Sequence, residues 1–479
     1  VRVEAKSISF GSMSQDNFDR LYSATIDAVL KHILRNYTRD DLEQVVEQFA
    51  AQGLSAFACV GKFSPRNPEF EQQAAHHLAS LGGWVTQGHH LSGELNFPRR
   101  INTAYFNSAV WTTFNGFADA VAAILDEYGF NCPVNLLKAD AGTLPLQQAR
   151  RVPVETIFSG PAASVMGISA LCQVQDEAVL LDIGGTTTDV ALFAGGVPVI
   201  ERHGISLEGR PTLVKGLKTR SVGIGGDSAI EVHNGSITVG PQRFGPCLAQ
   251  GGPRATLVDA LNVTGRIAYG DTAASFRGLE AVAHHLECSP ARAAESVVEA
   301  ACAGIRDAVQ DLLAEVNQRP VYTVHEVLWG KGLHPQHLLL MGGPAAALAP
   351  CLEKALDMQA SVPEHAAVAN AIGAALARPT VCIELFADTQ QRVMRIPALG
   401  VERSIGAGYD LEAAKQDALA ALQETLEDNT LESGAAEILE SSSMNMVRGM
   451  SMVGRDIRVR CQVRPGIASG YETTVRSVC

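Results

Sequence analysis

The chain has 479 residues, and its 38 Lys and Arg against 51 Asp and Glu give a formal net charge of −13, which argues against nonspecific binding to nucleic acid because a polyanion is repelled. Hydrophobic residues make up 46% of the chain and charged residues 19%, a composition that excludes a disordered protein and supplies a large core. The length predicts about two to four compact units, and no run reaches the roughly 18 apolar residues that a membrane-spanning helix needs.

The ten cysteines are scattered along the chain, and none forms a CxxC pair. This pattern argues against a zinc knuckle or a disulfide scaffold and favours buried thiols in a reducing compartment, so we expect a cytoplasmic protein. The chain opens with Val1 rather than Met and shows no signal-peptide pattern. We therefore expect that residues upstream of Val1 are missing from this sequence.

The N-terminal residues predict the start of an α/β unit. Alternation predicts a strand over Val1–Ile8, and apolar residues at three-to-four spacing predict a helix over Ser14–Leu34. The next predicted elements are a helix over Asp40–Ala51, a strand over Ser55–Gly61, a helix over Glu69–Leu81 and a strand over Trp84–Thr86.

The middle of the chain continues to alternate strands and helices. The predicted elements are a helix over Asn102–Tyr128, a strand over Val134–Lys138, a helix over Pro161–Ala170, a strand beginning at Glu177–Leu181 with Val190–Phe193 as its return partner, mostly helix over Ala281–Val316, a strand over Leu338–Met341 and a helix over Ala366–Ala377. Alternating β and α elements predict α/β layers.

The last eighty residues differ from the rest of the chain in composition and hydrophobic pattern. Leu411–Glu427 predicts a charged amphipathic helix, the Ser- and Met-rich stretch Glu432–Arg448 predicts a loop, and the alternation of Asp456–Val463 predicts a strand. We place a boundary near Gly400. The predicted units are 1–95, 96–400 and 401–479.

The segment Leu180–Leu192 (LLDIGGTTTDVAL) places an acid at each end of a Gly- and Thr-rich turn. Glycine lets backbone N–H groups approach a phosphate closely, and threonine hydroxyls add donors. A carboxylate at the end of a strand, here Asp182, can hold Mg²⁺ through water. An ordinary Thr-rich hairpin does not require acids at both ends, so the pattern predicts a phosphate site between Asp182 and Asp189.

Two further motifs accompany the hairpin. Ser159–Gly167 opens a helix with small residues, and the strand Leu338–Met341 runs into Gly342 and Gly343. The series of helix, phosphate hairpin and nucleotide-base turn resembles the actin-like ATPase superfamily, and Ala366–Ala377 looks like its second interdomain hinge helix. The resemblance implies a two-lobed, ribonuclease H-like α/β fold with a nucleotide cleft between the lobes, followed by a small C-terminal α+β segment.

The resemblance narrows to the hydantoinase/oxoprolinase family and covers most of residues 40–378. The stretches that carry it are Glu155–Leu171 (ETIFSGPAASVMGISAL), Leu180–Leu192, Ser221–Val232 (SVGIGGDSAIEV), Val239–Ala260, Gly61–Pro68 (GKFSPRNP), Gly88–Leu91 and Pro98–Asn107. This family implies an ATP-dependent ring opening of a cyclic amide such as 5-oxoproline or a hydantoin. Transfer of the γ-phosphoryl group to the amide oxygen would turn that oxygen into a leaving group, and the protein would position the nucleotide and neutralise charge.

The resemblance also implies roles for residues of the hairpin. Asp182 would order Mg²⁺ or its waters, and Asp189 would either position water or brace the hairpin as a turn-capping acid. The residues expected to hold phosphates are Gly184, Gly185, Thr186 and Thr187.

Binding roles are also expected for a second Gly-rich turn, a pair of glycines and a Lys–Asp pair. Gly225, Gly226 and Asp227 form a second Gly-rich turn, read either as a nucleotide contact or as a tight turn alone. Gly342 and Gly343 would lie under adenine or ribose. Lys138 and Asp140 end a strand at the predicted cleft, where ligands of α/β folds often bind, and we expect them to contact substrate.

Three features of the sequence are less readily explained by the family resemblance. The pair His89-His90 has no third metal ligand at useful spacing, and Arg99-Arg100 is read as surface pairing or packing. Actin-like ATPases have an earlier Gly-rich phosphate hairpin, which is absent here before residue 180. Val1–Ile8 resembles the strand that would follow it, so we expect that hairpin to be missing from this sequence rather than from the protein.

Two alternatives stay open. One is a non-enzymatic ATP switch or reactivating factor on the same fold, and the other is a subunit of an ATP-dependent ketone carboxylase. The expected partners are a small cyclic amide, a second hydantoinase subunit and further copies in an oligomer, with neither nucleic acid nor membrane.

Overall fold

The computed structural model describes residues 39–172, 174, 177–201, 203–318, 332–428, 436–448, 451–463 and 465–468. The strand predicted over Val1–Ile8 and the helix predicted over Ser14–Leu34 lie outside the described residues. No helix in these ranges is both long and apolar enough to cross a membrane.

The helices predicted from the sequence within the described residues are present near their predicted bounds, whereas the helices at 88–91, 146–149, 257–263 and 345–356 were not predicted. Within the described residues the helices are α1 (Arg39–Ala50), α2 (Glu69–Ser80), α3 (Gly88–Leu91), α4 (Phe97–Glu127), α5 (Leu146–Ala149), α6 (Ser159–Leu171), α7 (Leu257–Val263), α8 (Thr272–His285), α9 (Pro290–Asn317), α10 (Ala345–Leu356), α11 (Ala369–Leu376) and α12 (Leu411–Asp428). Pro at the first turn starts both long helices, α4 and α9, with Asn96 and Ser289 as side-chain caps.

The strands are more numerous and shorter. They are β1 (Ala56–Cys59), β2 (Trp84–Gln87), β3 (Asn135–Leu137), β4 (Thr143–Pro145), β5 (Ala178–Ile183), β6 (Thr188–Ala194), β7 (Val197–Pro198), β8 (Ile200–Glu201), β9 (Ser206–Leu207), β10 (Arg210–Pro211), β11 (Gly216–Leu217), β12 (Thr219–Val222), β13 (Ile230–His233), β14 (Ser236–Val239), β15 (His337–Met341), β16 (Gln359–Ser361), β17 (Cys382–Asp388), β18 (Val393–Ile396), β19 (Val401–Ser404), β20 (Ala436–Arg448) and β21 (Ser451–Val463).

A central sheet with the strand order β12-β6-β5-β15-β16 forms the middle layer of the main unit. β5 and β6 are an antiparallel hairpin, whereas β15 runs parallel to β5 and β16 parallel to β15. Because successive side chains of a strand point to opposite faces, Leu181 and Ile183 pack under α7–α10, and Leu180 packs on the other face under α6 and α11. Asp182 follows the parity of Leu180 and reaches α6 and α11.

Helices α6 and α11 cross in direct backbone contact on that second face. A Cβ placed on Gly373 would lie 2.1 Å from the carbonyl oxygen of Ala163, and a Cβ on Gly167 would lie 2.2 Å from that of Ala369. The close helix packing predicted for the small residues of Ala366–Ala377 is therefore present, although residues 366–368 form a 3₁₀ turn ahead of α11.

A second sheet, ordered β19-β18-β17-β21-β20, carries α12 on one face. Ile383 and Leu385 of β17 and Ile457 and Val459 of β21 are buried against apolar side chains of α12. The boundary predicted near Gly400 falls inside this sheet, because β17 and β18 precede that residue.

The loop predicted over Glu432–Arg448 is wrong: Ala436–Arg448 is strand β20, paired along its length with β21. β20 is an edge strand with most residues exposed, so neither of its faces requires the apolar alternation by which a strand is recognised. Pairing with the strongly alternating β21 holds it in place.

A buried polar cluster joins the N-terminal β1–β2 pair to α4. The Glu71 carboxylate lies 2.7 Å from the Nδ1 atom of His89 and accepts the backbone N–H groups of Gly61 and His89. Burial alone would raise the pKa of Glu71, but these hydrogen bonds hold it below its usual range. Arg100 is fully buried and donates to backbone carbonyls, including those of Gly61 and Lys62, which agrees with the packing role.

Gly373→Ala tests the helix crossing. Alanine normally stabilises a helix interior by up to about 1 kcal/mol relative to glycine, but here the added methyl would meet backbone atoms of α6, and overpacking costs about 1–3 kcal/mol. We expect a lower melting temperature, measured by circular dichroism. The control is Gly116→Ala in α4, where no atom lies within 4 Å of the new Cβ and a small stabilisation is expected. Equal stabilisation by both substitutions would contradict the crossing.

Candidate functional site

The turn between β5 and β6 presents its outer peptide groups to solvent. Asp182 and Asp189 face each other across the hairpin, and the N–H of Gly184 donates to the carbonyl of Thr187 at 2.9 Å. Gly185 and Thr186 at the tip are exposed. An anion can therefore reach this tip, where the available donors are backbone N–H groups and the Thr186 hydroxyl.

The second Gly-rich turn, Gly225–Asp227, packs against the hairpin between β5 and β6. The N–H groups of Gly226 and Asp227 donate to the carbonyls of Gly184 and Gly185 at 2.9 and 2.6 Å. A Cβ on Gly225 would lie 2.7 Å from the carbonyl carbon of Gly185. Gly225 and Gly226 are buried, and besides the hairpin they contact Ser228 and Val258. The partly exposed Asp227 carboxylate accepts from Arg243 at 2.8 Å.

Gly342 and Gly343, which follow β15, lie beside the end of β5. Gly342 has a φ of +95°, and a Cβ there would lie 2.2 Å from the carbonyl oxygen of Ile183 and 3.0 Å from Oδ1 of Asp182. Gly343 is exposed, with no atom within 4 Å of an added Cβ. The Gly225–Asp227 turn and the Gly342–Gly343 turn, both singled out in the sequence, therefore lie against the Gly-rich hairpin between β5 and β6.

The Asp182 carboxylate is held by two side chains that the sequence patterns did not indicate. Ser164 on α6 donates from Oγ to Oδ2 at 2.6 Å, and Asn370 on α11 donates from Nδ2 to the same oxygen at 3.1 Å. Each of them precedes a glycine by three residues, Gly167 and Gly373. That shared spacing was visible in the sequence, but only the fold shows that the two helices converge on one carboxylate.

Asp189 is half-buried, and its surroundings favour the neutral form of its carboxyl group. Burial raises the pKa of Asp189 above its usual value, and the nearby Asp182 adds to the rise, although a hydrogen bond with Ser221 opposes it. Asp189 is therefore protonated more readily than an ordinary aspartate.

Lys138 and Asp140 form a tight turn whose interactions are local. Lys138 Nζ lies 3.0 Å from Asp140 Oδ2 and 3.9 Å from Glu155, and Asp140 Oδ1 accepts the N–H of Gly142 at 2.9 Å. Burial would lower the pKa of Lys138, but the two carboxylates raise it above its ordinary value. The contacts described for this pair do not reach the hairpin, and its assignment to substrate contact stays a prediction.

The donor set at the hairpin suits a hydrated magnesium ion. Among the described residues no group of three or more His, Cys, Asp or Glu could enclose a metal. Mg²⁺ keeps several waters and needs only one or two carboxylates together with phosphate oxygens. Asp182, fixed at Oδ2 and with Oδ1 toward Gly342, fits such a role.

The fold is of the actin-like ATPase type. Residues 100–382 match the hydantoinase/oxoprolinase family, and the chain belongs to that family. The family region ends where the second sheet begins, at Cys382.

The chain is similar in sequence to a caprolactamase subunit and to a 5-oxoprolinase. It is 26% identical over 321 residues to caprolactamase subunit alpha of Pseudomonas jessenii, which covers 64% of this chain and 44% of the relative. It is 27% identical over 250 residues to a 5-oxoprolinase of Pestalotiopsis fici, covering 49% of this chain and 19% of the relative. The chain thus spans less than half the length of these relatives.

Two solved structures share the fold. Nucleotide-free acetone carboxylase superposes with a TM-score of 0.66 at 18% identity, covering 91% of this chain and 67% of that one. The ATP-dependent caprolactamase of Pseudomonas jessenii gives a TM-score of 0.64 at 19% identity, covering 91% and 68%.

The pair Gly342→Ala and Gly343→Ala separates a packing glycine from an exposed one. Gly342→Ala should lower the melting temperature, because alanine at positive φ costs roughly 1–2 kcal/mol and its methyl would meet Ile183. Gly343→Ala should leave the melting temperature unchanged. Equal melting temperatures for the two variants would show that the turn does not pack as described.

Asp189→Asn should stabilise the metal-free protein at neutral pH. Because the pKa of Asp189 is raised, the folded state binds its proton more tightly than the unfolded chain, so stability falls as pH rises from the unfolded pKa of about 3.9 through the folded value. The gain from Asp189→Asn should be present at pH 7 and shrink toward pH 4 in thermal unfolding. The matched control is Asp126→Asn on the exposed surface of α4. A loss of stability at pH 7 in Asp189→Asn would contradict the reading.

Proposed function

We propose that this chain is the ATP-using part of a hydrolase that opens a cyclic amide ring. The observation that carries the proposal is the exposed Gly185–Thr186 tip, backed by the Gly225–Asp227 turn, with Asp182 fixed beside it. The sequence relatives support the choice of substrate class, because caprolactam and 5-oxoproline are both cyclic amides.

The proposed reaction uses ATP to make a stable amide reactive. The γ-phosphoryl group of ATP moves to the amide oxygen as its bond to the departing ADP breaks, and water adds to the adjacent carbon. The ring C–N bond breaks as the nitrogen takes up a proton, and a further water releases phosphate from the carboxyl group. In sum, one cyclic amide, one ATP and two waters give an amino acid, ADP and phosphate.

The chain's residues would bind and orient rather than react. Gly184, Gly185, Thr186 and Thr187 would donate to phosphate oxygens, which places the transferred group and spreads its charge over fixed dipoles. Asp182 would orient the waters of Mg²⁺, an ion that supplies charge neutralisation when bound. The exposed Gly343 would leave room for adenine or ribose.

The other residues of the site have supporting roles in this proposal. Gly225, Gly226 and Gly342 would maintain the shape of the hairpin through the contacts described above. The readily protonated Asp189 would brace the return strand, in line with its burial. A second subunit, as the name of the caprolactamase relative implies for that protein, would complete the site for the amide.

The test is ATP hydrolysis by the full chain, purified with any subunit that accompanies it. We expect stimulation by one of 5-oxoproline, caprolactam or hydantoin, with ring opening in step with ADP release. Asp182→Ala should reduce the stimulated rate by about tenfold or more, since loss of a group that positions charge typically costs 10²–10³ in rate. Asp126→Ala, on an exposed face of α4, is the control.

Other outcomes of the same assay contradict the proposal. Stimulation by a ketone with bicarbonate alone would indicate a carboxylase subunit. Bound ATP without stimulation by any small molecule, with hydrolysis raised by a protein partner, would indicate a switch.

A further inference from the structure

Two helices from distant parts of the chain each donate a side-chain hydrogen bond to the Asp182 carboxylate. Ser164 and Asn370 lie 206 positions apart in the sequence, yet both donate to the single oxygen Oδ2, at 2.6 and 3.1 Å. The hydrogen bonds of the described residues leave Oδ1 without a donor, and Oδ1 lies beside the Gly342 turn. One oxygen is thus anchored and the other is available to a water molecule.

Both donors lie one helical turn from the point where the helices touch. Ser164 precedes Gly167, and Asn370 precedes Gly373, by three residues each. Residues three apart share a face of a helix, so each helix presents a donor and a contact glycine to its neighbour. Contact at the two glycines fixes how α6 and α11 cross. The distances from the Ser164 and Asn370 donors to Asp182 depend on that crossing.

We propose that Ser164 and Asn370 are positioning residues that orient Asp182 toward Mg²⁺ and couple this orientation to the crossing of α6 and α11. A rotation of one helix about the Gly167–Gly373 contact would lengthen at least one of the two hydrogen bonds. The metal-holding geometry is then complete only when the helices are in the arrangement described. The proposal rests on the proposed function, because it takes Asp182 to act on Mg²⁺.

We expect both donors to be removable with little effect on the fold. Ser164 is buried, but its hydroxyl also lies 3.2 Å from the carbonyl of Gly160 within α6, and alanine favours a helix. Asn370 is exposed, so Asn370→Ala leaves no cavity. The matched control is Ser169→Ala, since the Ser169 hydroxyl donates only to the carbonyl of Val165 in the same helix.

The experiment is isothermal titration of ATP into the full chain, with Mg²⁺ and in excess EDTA. Ser164→Ala and Asn370→Ala should each weaken binding of Mg²⁺–ATP about threefold to tenfold, and the double variant more than tenfold, a loss of more than about 1.4 kcal/mol. Affinity for ATP in EDTA should stay that of the wild type in every variant. Melting temperatures confirm that the variants are folded.

Three outcomes would overturn the positioning role. Wild-type affinity for Mg²⁺–ATP in the double variant would show that the two donors do not orient a metal ligand. An equal loss with and without Mg²⁺ would indicate a general structural effect. ATP binding by the wild type that does not depend on Mg²⁺ removes the role of Asp182, and with it this one. No ATP binding at all by the wild type would instead refute the proposed function, which is how the two failures are told apart.

Discussion

Backbone-to-backbone contact, possible only where side chains end at Cα, is the constraint on which the rest of this structure depends. At Gly225 and Gly342 it lets two distant turns touch the hairpin between β5 and β6, and at Gly167 and Gly373 it lets two helices touch each other. A methyl at any of these positions would lie 2.1 to 2.7 Å from backbone atoms of the neighbouring element, so the elements would have to move apart. The hairpin keeps its shape because its neighbours are this close.

The hydrophobic core determines where the polar groups of the site lie. Alternation along β5 buries Leu181 and Ile183 under one layer of helices and Leu180 under the other. Asp182, one residue beyond Leu181, is carried to the sheet end on the α6 and α11 side, where Ser164 and Asn370 meet it. The same rule that packs the core thus delivers a carboxylate to the place where two helices can hold it.

Much of this organisation was predictable because it follows from local pattern. The predicted helices, the paired strands of the hairpin and the family resemblance all rest on residues close together in sequence, and the structure contains those helices and strands within the described ranges. Helices α7 and α10 were not predicted. The partners of Asp182 were not predictable, since Ser164 and Asn370 meet it only through packing of distant helices. The buried side of the Gly225 turn was equally invisible, because a glycine that supports a turn and one that binds a ligand look alike in sequence.

Lys138 and Asp140 show a related limit. Their position at a strand end is typical of ligand-binding residues, but their side chains hydrogen-bond to each other and to Gly142, and Lys138 forms an ion pair with Glu155. Strand β20 was missed for the opposite reason: it pairs with β21 from end to end although its sequence shows no strand pattern. Its hydrogen bonds come from β21, and the backbone carries them irrespective of side-chain type.

That edge strand has a consequence for how the protein behaves in a crowded solution. Among the described strands β20 is the last of its sheet, and an edge of this length would ordinarily invite another chain to add a strand. The ladder is broken by register shifts at Ile438/Glu440 and at Met446/Val447, which divide the edge into short, differently twisted pieces. These two irregularities therefore work as protection against self-association into extended β-aggregates.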